Sequence, residues 1–478
     1  YPNGKPESQN PVQIINCPRC GRALRPHNYR RSKYPDRIRI KCANINCFFG
    51  NPDKDESFLP VVFTDDDIVS ALPSLLIGTV DKFARLSWEP RFAGIFGIVK
   101  QSCQQHGFIP GNTPTDKICR HSQAEKRRYK EISSIPPPEL IIQDELHLIS
   151  GTLGTLTGLY ETLIDNLCLH NGIRAKIIAS TATIKNSNDQ IKWLFARNKS
   201  KIFPPQAFDF GESYFSLATK KRGKIHLGIC ATNTGGFTVD ARVAAAVLRK
   251  VRHILENKQK FGYTTEEIDP YYTLVSYYNT RRNHDSAARY FEDSVPPMMG
   301  TIRKKFELGL QKRHRDLLKQ ELTARLDSGD IPKVFWDLDI PLSDDSCQCG
   351  GKSEKESEAE LCETCKKPLQ STLDALLCTN MLSVGVDVQR LSLMVINGQP
   401  KLTSEYIQAS GRIGRSKYPG LVVTNYNYRQ ARDLSVFENF IDFHSKYHKN
   451  VEPGTLTPFA SRARDTGLFG MLVAFARM

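Results

Sequence analysis

Two adjacent carboxylates and a histidine follow a short apolar run in the first half of the chain. The run 140–142 predicts a buried strand, and Asp144, Glu145 and His147 come just after it. In an open α/β sheet, ligands bind where the strands end. Asp144 could hold Mg²⁺ through its waters, Glu145 could deprotonate an attacking water, and His147 could relay the state of a phosphate. The alternative is an N-cap acid followed by a core leucine.

Further polar groups follow later apolar runs in the same way. Ser180 and Thr181 come after the run 175–179, and their hydroxyls could bridge to the acidic loop. Gly385 and Asp387 follow the run 375–378 and could approach a sugar and phosphates. The segment 408–415 then carries Gln408, Arg412 and Arg415. We expect the two arginines to share one helix face, from which planar guanidinium groups would reach a γ-phosphate.

Eight of the 13 cysteines form tight pairs, which in an intracellular chain favours metal binding over disulfides. The first four fit one tetrahedral Zn²⁺ site within a ribbon rich in Arg and Lys, and free thiols are the alternative. Whether that ribbon contacts nucleic acid or only braces its domain is open. The second set has a less usual Cys-x-Cys spacing. The two predicted sets are Cys17, Cys20, Cys42 and Cys47, and Cys347, Cys349, Cys362 and Cys365.

The elements that must position these residues alternate between apolar strands and helical stretches, which predicts an α/β fold with parallel sheets. A composition of 40% hydrophobic and 24% charged residues is typical of a globular chain. The net charge of +15 favours a polyanionic partner such as nucleic acid. The sequence contains neither an apolar run long enough to span a membrane nor an apolar signal region, so we expect a cytoplasmic protein.

In this order, these residues resemble the conserved motifs of superfamily 2 DExH helicases. Residues 144–147 match motif II, 180–183 motif III, 379–387 motif V and 408–415 motif VI. The segment 78–82 is similar to the motif Ib region, where a threonine contacts the nucleic-acid backbone. The resemblance implies ATP hydrolysis with Mg²⁺ and two RecA-like domains. It also implies backbone contacts to nucleic acid from Thr79, Lys82 and Thr379.

Longer stretches are similar to the DrmA-type helicases of bacterial DISARM anti-phage systems. They are residues 138–151, 179–184, 398–408 and 457–465. The resemblance implies action on DNA, single-stranded or with a single-stranded overhang, together with an accessory protein partner of a defence complex. Helicases of the mitomycin-repair type are close neighbours, which leaves a DNA-repair role open.

One part of the helicase pattern is missing from the sequence. A phosphate-binding loop has the form G-x-x-x-x-G-K-[ST], and no segment has it. The family places this loop upstream of motif Ib, so we expect the chain to be a fragment that does not hydrolyse ATP unaided. The chain also starts without Met and stops within an apolar run, which supports the same expectation.

The motifs predict two RecA-like domains in tandem, with ATP in the cleft between them. The predicted segments are a zinc ribbon at 12–60, a first domain at 61–225, a helical linker at 226–270, a second domain at 271–430 with a cysteine-bearing insert at 343–370, and a truncated helical segment at 431–478. Two other readings stay open, a non-catalytic nucleic-acid-binding fragment and a scaffold of a larger helicase complex. ATP turnover stimulated by DNA distinguishes a motor from both.

Overall fold

The chain forms two compact units in its computed structural model. Unit 1 comprises Tyr1–Phe203 and Pro453–Met478, and unit 2 comprises Pro204–Glu452. The residues that the structure describes are 14–33, 36–51, 57–104, 106–111, 129–133, 135–149, 151–181, 187–205, 208, 212–217, 223–308, 317–326, 330–343, 353–354, 361–362, 372–380, 388–452, 457 and 460–478.

Unit 1 opens with a small cysteine module. Strands β1 (Tyr29–Lys33) and β2 (Asp36–Ile40) pair as an antiparallel hairpin. One side of the hairpin packs on a core that includes Leu24, Leu59 and buried cysteine side chains. Helix α1 (Asp65–Ala71) follows the module, and its three acids in the first turn interact favourably with the helix dipole.

The rest of unit 1 contains two small sheets. Strands β3 (Val99–Cys103), β4 (Gly107–Pro110) and β5 (Tyr129–Glu131) form an antiparallel sheet with β3 in the centre. Strands β6 (Leu140–Gln143) and β7 (Lys176–Ala179) form a parallel pair. Helix α2 (Gly151–Leu167) follows β6, and helix α3 (Ser187–Phe195) follows β7. The strand–helix–strand order gives the parallel pairing its crossover.

Unit 2 is built on a six-stranded parallel sheet with the order β10-β13-β9-β14-β15-β8. The helices and strands in chain order are β8 (Lys224–Cys230), α4 (Gly236–Glu256), α5 (Lys258–Phe261), α6 (Thr265–Tyr272), β9 (Leu274–Tyr278), α7 (Arg281–Asp293), α8 (Val295–Lys305), β10 (Lys319–Leu322), α9 (Ile331–Asp339), β11 (Ser353–Glu354), β12 (Leu361–Cys362), β13 (Ala375–Cys378), β14 (Leu393–Asn397), α10 (Thr403–Ser410), β15 (Gly420–Tyr426), α11 (Ala431–Glu438) and α12 (Phe440–Lys446).

The central strands of this sheet are buried on both faces. Alternate residues of β9 divide between two cores, with Val275 and Tyr277 in one and Leu274 and Tyr278 in the other. A strand buried on both faces must be apolar throughout, which is why the sequence showed uninterrupted apolar runs here. The predicted fold class, α/β with parallel sheets, is confirmed.

Two predicted segments have different positions in the structure. The segment 226–270, predicted as a helical linker, supplies β8 and α4, which belong to the sheet and one core of unit 2. The segment 431–478 is divided, because its final residues return to unit 1 as α13 (Ser461–Ala463), a π-helical turn (Arg464–Leu468) and α14 (Phe469–Arg477). Ser87 Oγ donates a hydrogen bond to the Gly470 carbonyl at 2.7 Å, which joins this segment to the N-terminal part of the unit.

The apolar run at 75–80, which predicts a buried strand, is not a strand. Leu75 and Ile77 are exposed and lie outside any helix or strand, and Val80 begins a 3₁₀ helix. An apolar run becomes a buried strand only where neighbouring strands and helices cover it. Within the described residues, no helix is long and apolar enough to cross a membrane.

Glu161, on the buried side of α2, should make unit 1 less stable as the pH rises. Burial, together with the nearby Asp165 carboxylate, raises the pKa of Glu161 to about 7. Because the folded pKa lies above the unfolded value, folding is penalised increasingly from about pH 4.5 to 7. We expect Glu161→Gln to stabilise the chain by up to about 3 kcal/mol at pH 8 and by less than half of that at pH 5. Urea unfolding at both pH values measures this, and an equal effect at both would contradict it.

Candidate functional site

The acidic residues predicted as catalytic lie at the carboxyl end of the parallel pair in unit 1. Gln143 and Ala179 are partners in the β6–β7 register, so the residues after them, Asp144 and Ser180, are neighbours. Ser180 Oγ donates a hydrogen bond to Asp144 Oδ1. The Leu146 amide donates to the Ser180 carbonyl at 2.9 Å. The two loops are therefore joined by side-chain and backbone hydrogen bonds at the position predicted for the site.

Glu145 occupies an unusual backbone conformation. Its φ of 51° is left-handed, a region that costs a non-glycine residue on the order of 1 kcal/mol or more. The Glu145 amide donates to Asp144 Oδ1 at 2.9 Å, which helps to hold the turn. The conformation ends the strand sharply, and the 3₁₀ turn Leu146–Leu148 follows at once. Asp144 keeps an exposed carboxylate, and oxygen ligands of this kind suit Mg²⁺.

His147 connects the acidic loop to the second loop. Its Nδ1 atom lies 3.5 Å from Glu145 Oε2 and 3.3 Å from Thr181 Oγ1. Only 9% of the His147 side chain is exposed, so the imidazole has little freedom to move away from these two oxygens. The imidazole therefore contacts both loops at once.

Gln190, a buried residue of α3, supports this turn and was not identified from the sequence. Its Nε2 atom donates to the carbonyl oxygens of Leu146 at 3.3 Å and Ile149 at 3.2 Å. The Leu146 carbonyl also accepts from the Ile149 amide at 3.0 Å, so Gln190 adds a second hydrogen bond to the turn and one to the residue that ends it. A single glutamine in an amphipathic helix is ordinary, so no sequence signal could have identified it.

The structure corrects the expectation that Arg412 and Arg415 share a helix face. Helix α10 ends at Ser410, and both arginines lie in the loop that follows. Gly411 caps the helix, and the Arg412 amide donates to the Ala409 carbonyl at 3.1 Å in a tighter final turn. Beyond it, Gly414 has a left-handed φ of 66°, and its amide donates to the Leu391 carbonyl at 2.8 Å, so the helix does not resume before Arg415. A Cβ atom at Gly414 would lie only 2.5 Å from the Gly420 amide nitrogen. Arg415 is exposed, and its Nε donates to the Gly411 carbonyl at 2.9 Å.

Helix α10, which carries Gln408 and leads into the arginine loop, is fixed by side chains from other parts of unit 2. The Tyr406 hydroxyl lies 3.0 Å from His226 Nδ1 and 2.9 Å from His444 Nε2. Burial lowers the pKa of His226 to about 4, so this imidazole is neutral at physiological pH. The Thr403 amide at the start of the helix donates to the Glu452 carboxylate at 2.8 Å. These contacts join residues far apart in sequence, so the sequence did not indicate them.

The residues predicted to contact nucleic acid have varied surroundings. Thr79 is exposed and precedes the 3₁₀ helix Val80–Ser87, while Thr379 is buried at the carboxyl end of β13. Lys82 Nζ lies 3.0 Å from a carboxylate oxygen of Asp65, which screens its charge. Gly385 and Asp387, which were predicted to contact the sugar and phosphates of the nucleotide, lie outside the described residues.

The first cysteine set comes together as a group. The Sγ atoms of Cys17, Cys20, Cys42 and Cys47 all lie within 4.8 Å of one another. Two of the pairs are separated by 3.9 Å and 3.5 Å, close to the roughly 3.8 Å expected for four sulfurs around zinc at about 2.3 Å. A hydrogen bond from the Arg22 amide lowers the pKa of Cys20 to about 7, whereas burial raises that of Cys42 to about 12. The donor set fits Zn²⁺, whose charge when bound would keep all four thiols ionised.

The second predicted set cannot be compared in the same way. Cys347, Cys349 and Cys365 lie outside the described residues, as does the side chain of Cys362. The backbone at Cys362 belongs to the two-stranded antiparallel pair β11–β12. The second zinc site stays a prediction.

Removing zinc should unfold the cysteine module while leaving unit 2 folded. The module core is small, and zinc binding to such sites is worth on the order of 10 kcal/mol. We expect Cys42→Ser to reduce the zinc bound by these four cysteines to less than one ion per chain. We also expect it to make the β1–β2 hairpin more susceptible to protease. Cys230→Ser, a matched change at a half-exposed thiol of unit 2, should alter neither. If a chelator changes neither the proteolysis nor the thermal transition of the wild-type protein, the zinc site is wrong.

The comparisons with known proteins agree with the motifs. Residues 346–417 match the family described as the helicase conserved C-terminal domain. The chain is 38% identical over 477 residues to the DISARM protein DrmA of Bacillus paralicheniformis, an alignment that covers 98% of this chain and 39% of that protein. The chain therefore spans about two fifths of the length of this curated relative.

Similar solved structures are helicases with low sequence identity. The DUF1998 helicase MrfA bound to DNA and AMPPNP has a TM-score of 0.45 at 14% identity, covering 70% of this chain and 37% of that one. The Mycobacterium smegmatis helicase Lhr bound to ssDNA and AMP-PNP has a TM-score of 0.41 at 14% identity, covering 71% and 36%. The motif-based recognition is confirmed by sequence: the chain resembles DrmA of the DISARM systems along nearly its whole length and carries a conserved helicase C-terminal domain.

Proposed function

We propose that this chain supplies the hydrolytic carboxylates and the arginine loop of an ATP-dependent superfamily 2 helicase or translocase that acts on DNA in anti-phage defence. The observation that carries the proposal is the joined pair of loops at the end of β6 and β7. There, Ser180 donates a hydrogen bond to Asp144, and His147 lies against both Glu145 and Thr181. The similarity to DrmA supports the defence role.

Each residue of the site has a distinct task in the proposed hydrolysis. Asp144 would hold Mg²⁺ through its exposed carboxylate, and the bound ion would neutralise charge on the phosphates. Glu145 would orient the attacking water and accept its proton. Ser180 keeps the Asp144 carboxylate in one orientation through its hydrogen bond. His147, which lies against both Glu145 and Thr181, would transmit the state of the phosphate to the second loop.

The arginine loop would act on the same ATP. Arg412 and Arg415 would place guanidinium groups on the phosphates, where they stabilise charge in the transition state. Gln408, on the anchored helix α10, together with Gly385 and Asp387, would contact the nucleotide. Closure of the two RecA-like domains on ATP, and their opening after hydrolysis, would move the protein along a strand of DNA.

Contacts to DNA would be made mainly with its backbone. Thr79, Lys82 and Thr379 would contribute hydrogen bonds and charge, so little sequence preference is expected. The net charge of +15 supports an electrostatic contribution to binding. A single strand or a duplex with a single-stranded overhang would be bound, and an accessory protein would complete the defence complex.

The alternative is a chain that binds nucleic acid, or serves as a scaffold, without hydrolysing ATP. The specific observation in its favour is that the 478 residues contain no G-x-x-x-x-G-K-[ST] segment. ATP turnover measured with and without single-stranded DNA separates the two functions. Turnover that DNA stimulates supports the motor, whereas DNA binding with no turnover in the whole protein would support the alternative.

A further inference from the structure

The cysteine module carries a large share of the charge of the chain. Residues 14–59, which include the module core, contain ten Lys or Arg residues and four acids, which gives a net charge of +6 within a chain of +15. Four thiolates around one divalent cation would remove only about two of these positive charges. A surface this basic on so small a module interacts strongly with polyanions.

The hairpin concentrates part of this charge on one face. Tyr29 pairs with Ile40 in the β1–β2 register, and Ile40 is fully buried in the module core. Because successive side chains of a strand point to opposite faces, Arg30 and its partner Arg39 lie on the outer face, with Arg37 beside them. Arg30 is exposed and Arg39 is half-exposed.

Two arginines placed directly opposite each other repel, so their pairing weakens the hairpin rather than stabilising it. The like charges of Arg30 and Arg39 therefore cost the hairpin stability, and an anionic ligand bound on this face would offset that cost.

Aromatic rings hold the cations in place along this face. The Arg39 guanidinium lies 5.0 Å, and Lys41 Nζ 5.9 Å, from the centre of the Phe58 ring. On the module, Arg19 likewise lies 5.7 Å from the ring centre of Phe48, which is 48% exposed. Cations combined with aromatic rings are typical of surfaces that bind single-stranded nucleic acid.

We propose that the outer face of the hairpin, defined by Arg30, Arg39 and Lys41, binds the phosphate backbone of nucleic acid as a contact separate from the helicase motifs. The identity of the ligand rests on the proposed function, because the same nucleic acid would be held at both places. Binding at this face requires neither ATP nor closure of the helicase domains. Because the phosphate backbone is the same for every base, this binding has no preference for nucleic-acid sequence.

The test measures binding of the whole protein to a fluorescein-labelled 30-nucleotide single strand by anisotropy, without nucleotide, across a series of salt concentrations. We expect Arg30→Glu to weaken binding by about tenfold at low salt and to reduce the salt slope by about one or more. The thermal midpoint should stay the same or rise, because the new carboxylate faces Arg39. Lys199→Glu, the same charge change at an exposed residue of unit 1, should leave binding within about twofold.

Arg30→Lys keeps the charge and should retain most of the affinity. If Arg30→Glu binds as tightly as the wild type at every salt concentration, the hairpin is not a nucleic-acid contact, although DNA-stimulated ATP turnover could still support the proposed function. A wild-type protein that binds no nucleic acid at all would overturn both. Weaker binding that is matched by Lys199→Glu would show a general charge effect and would overturn the hairpin contact alone.

Discussion

Glu145→Gln should lower ATP turnover of the whole protein by about 10²- to 10⁴-fold, the range expected for loss of a general base. The amide has nearly the same size as the carboxylate but cannot accept the proton of the attacking water. Glu145 already occupies a left-handed backbone conformation held by the Asp144 carboxylate, and this amide–carboxylate hydrogen bond does not involve the Glu145 side chain. The turn should therefore survive the substitution. Steady-state phosphate release, with and without single-stranded DNA, measures the effect.

The matched control is Glu139→Gln, at an exposed residue that precedes the first residue of β6, at the end opposite to the site. It should leave turnover within about twofold, since it changes the same charge without touching the site. ATP and DNA binding by the Glu145 variant should be preserved. Unchanged turnover in that variant would remove Glu145 from the catalytic role. A whole protein with no turnover, in wild type and variant alike, would favour the non-catalytic alternative.

Arg415→Ala should lower turnover by about 10³- to 10⁵-fold while largely sparing DNA binding, because an arginine finger acts on the transition state. Arg415 is exposed in the loop after α10, and its Nε donates to the Gly411 carbonyl at 2.9 Å. Its removal should not unfold unit 2, whose cores lie on the two faces of the sheet. Single-turnover hydrolysis with saturating ATP separates this effect from weaker ATP binding.

Arg429→Ala removes another exposed arginine of unit 2 and should retain full turnover. Arg415→Lys should recover little activity, since an ammonium cannot reproduce the planar guanidinium fork. If Arg415→Ala keeps wild-type turnover, the arginine-finger assignment is wrong. If it loses DNA binding to the same extent as turnover, Arg415 contacts nucleic acid rather than ATP.

Several elements of the fold could be predicted because their signals are local. The apolar runs 375–378 and 393–396 became strands of the parallel sheet of unit 2, since a strand buried on both faces must be largely apolar. The runs 140–142 and 175–179 became the parallel pair β6–β7, but Leu140, Ile142 and Ile178 are exposed, so the expectation of a buried strand at 140–142 is wrong. The pairing of Asp144 with Ser180 followed from the same argument, because parallel strands end at the same edge of a sheet. The spacing of the first four cysteines likewise predicted the cluster that the structure contains.

Other predictions failed where a local pattern has more than one outcome. The arginine spacing in 412–415 fits a helix, but the helix ends at Ser410 and the left-handed Gly414 keeps the following residues from resuming it. The segment 226–270 contains a long helix and so resembled a linker, yet its β8 strand pairs along the edge of the sheet through seven residues of β15. The exposed run 75–77 has the composition of a strand without the partners that a strand requires.

The sequence by itself determined which chemistry is present and its order along the chain: carboxylates, hydroxyls, arginines and paired thiols, each after a recognisable element. The tertiary structure decided how these groups are held. The left-handed Glu145, the Gln190 hydrogen bonds beneath the acidic turn and the Tyr406 contacts with two histidines all depend on residues distant in sequence. Composition and spacing report local preferences, whereas the orientation of a catalytic side chain depends on non-local packing and hydrogen bonds that exist only in the folded chain.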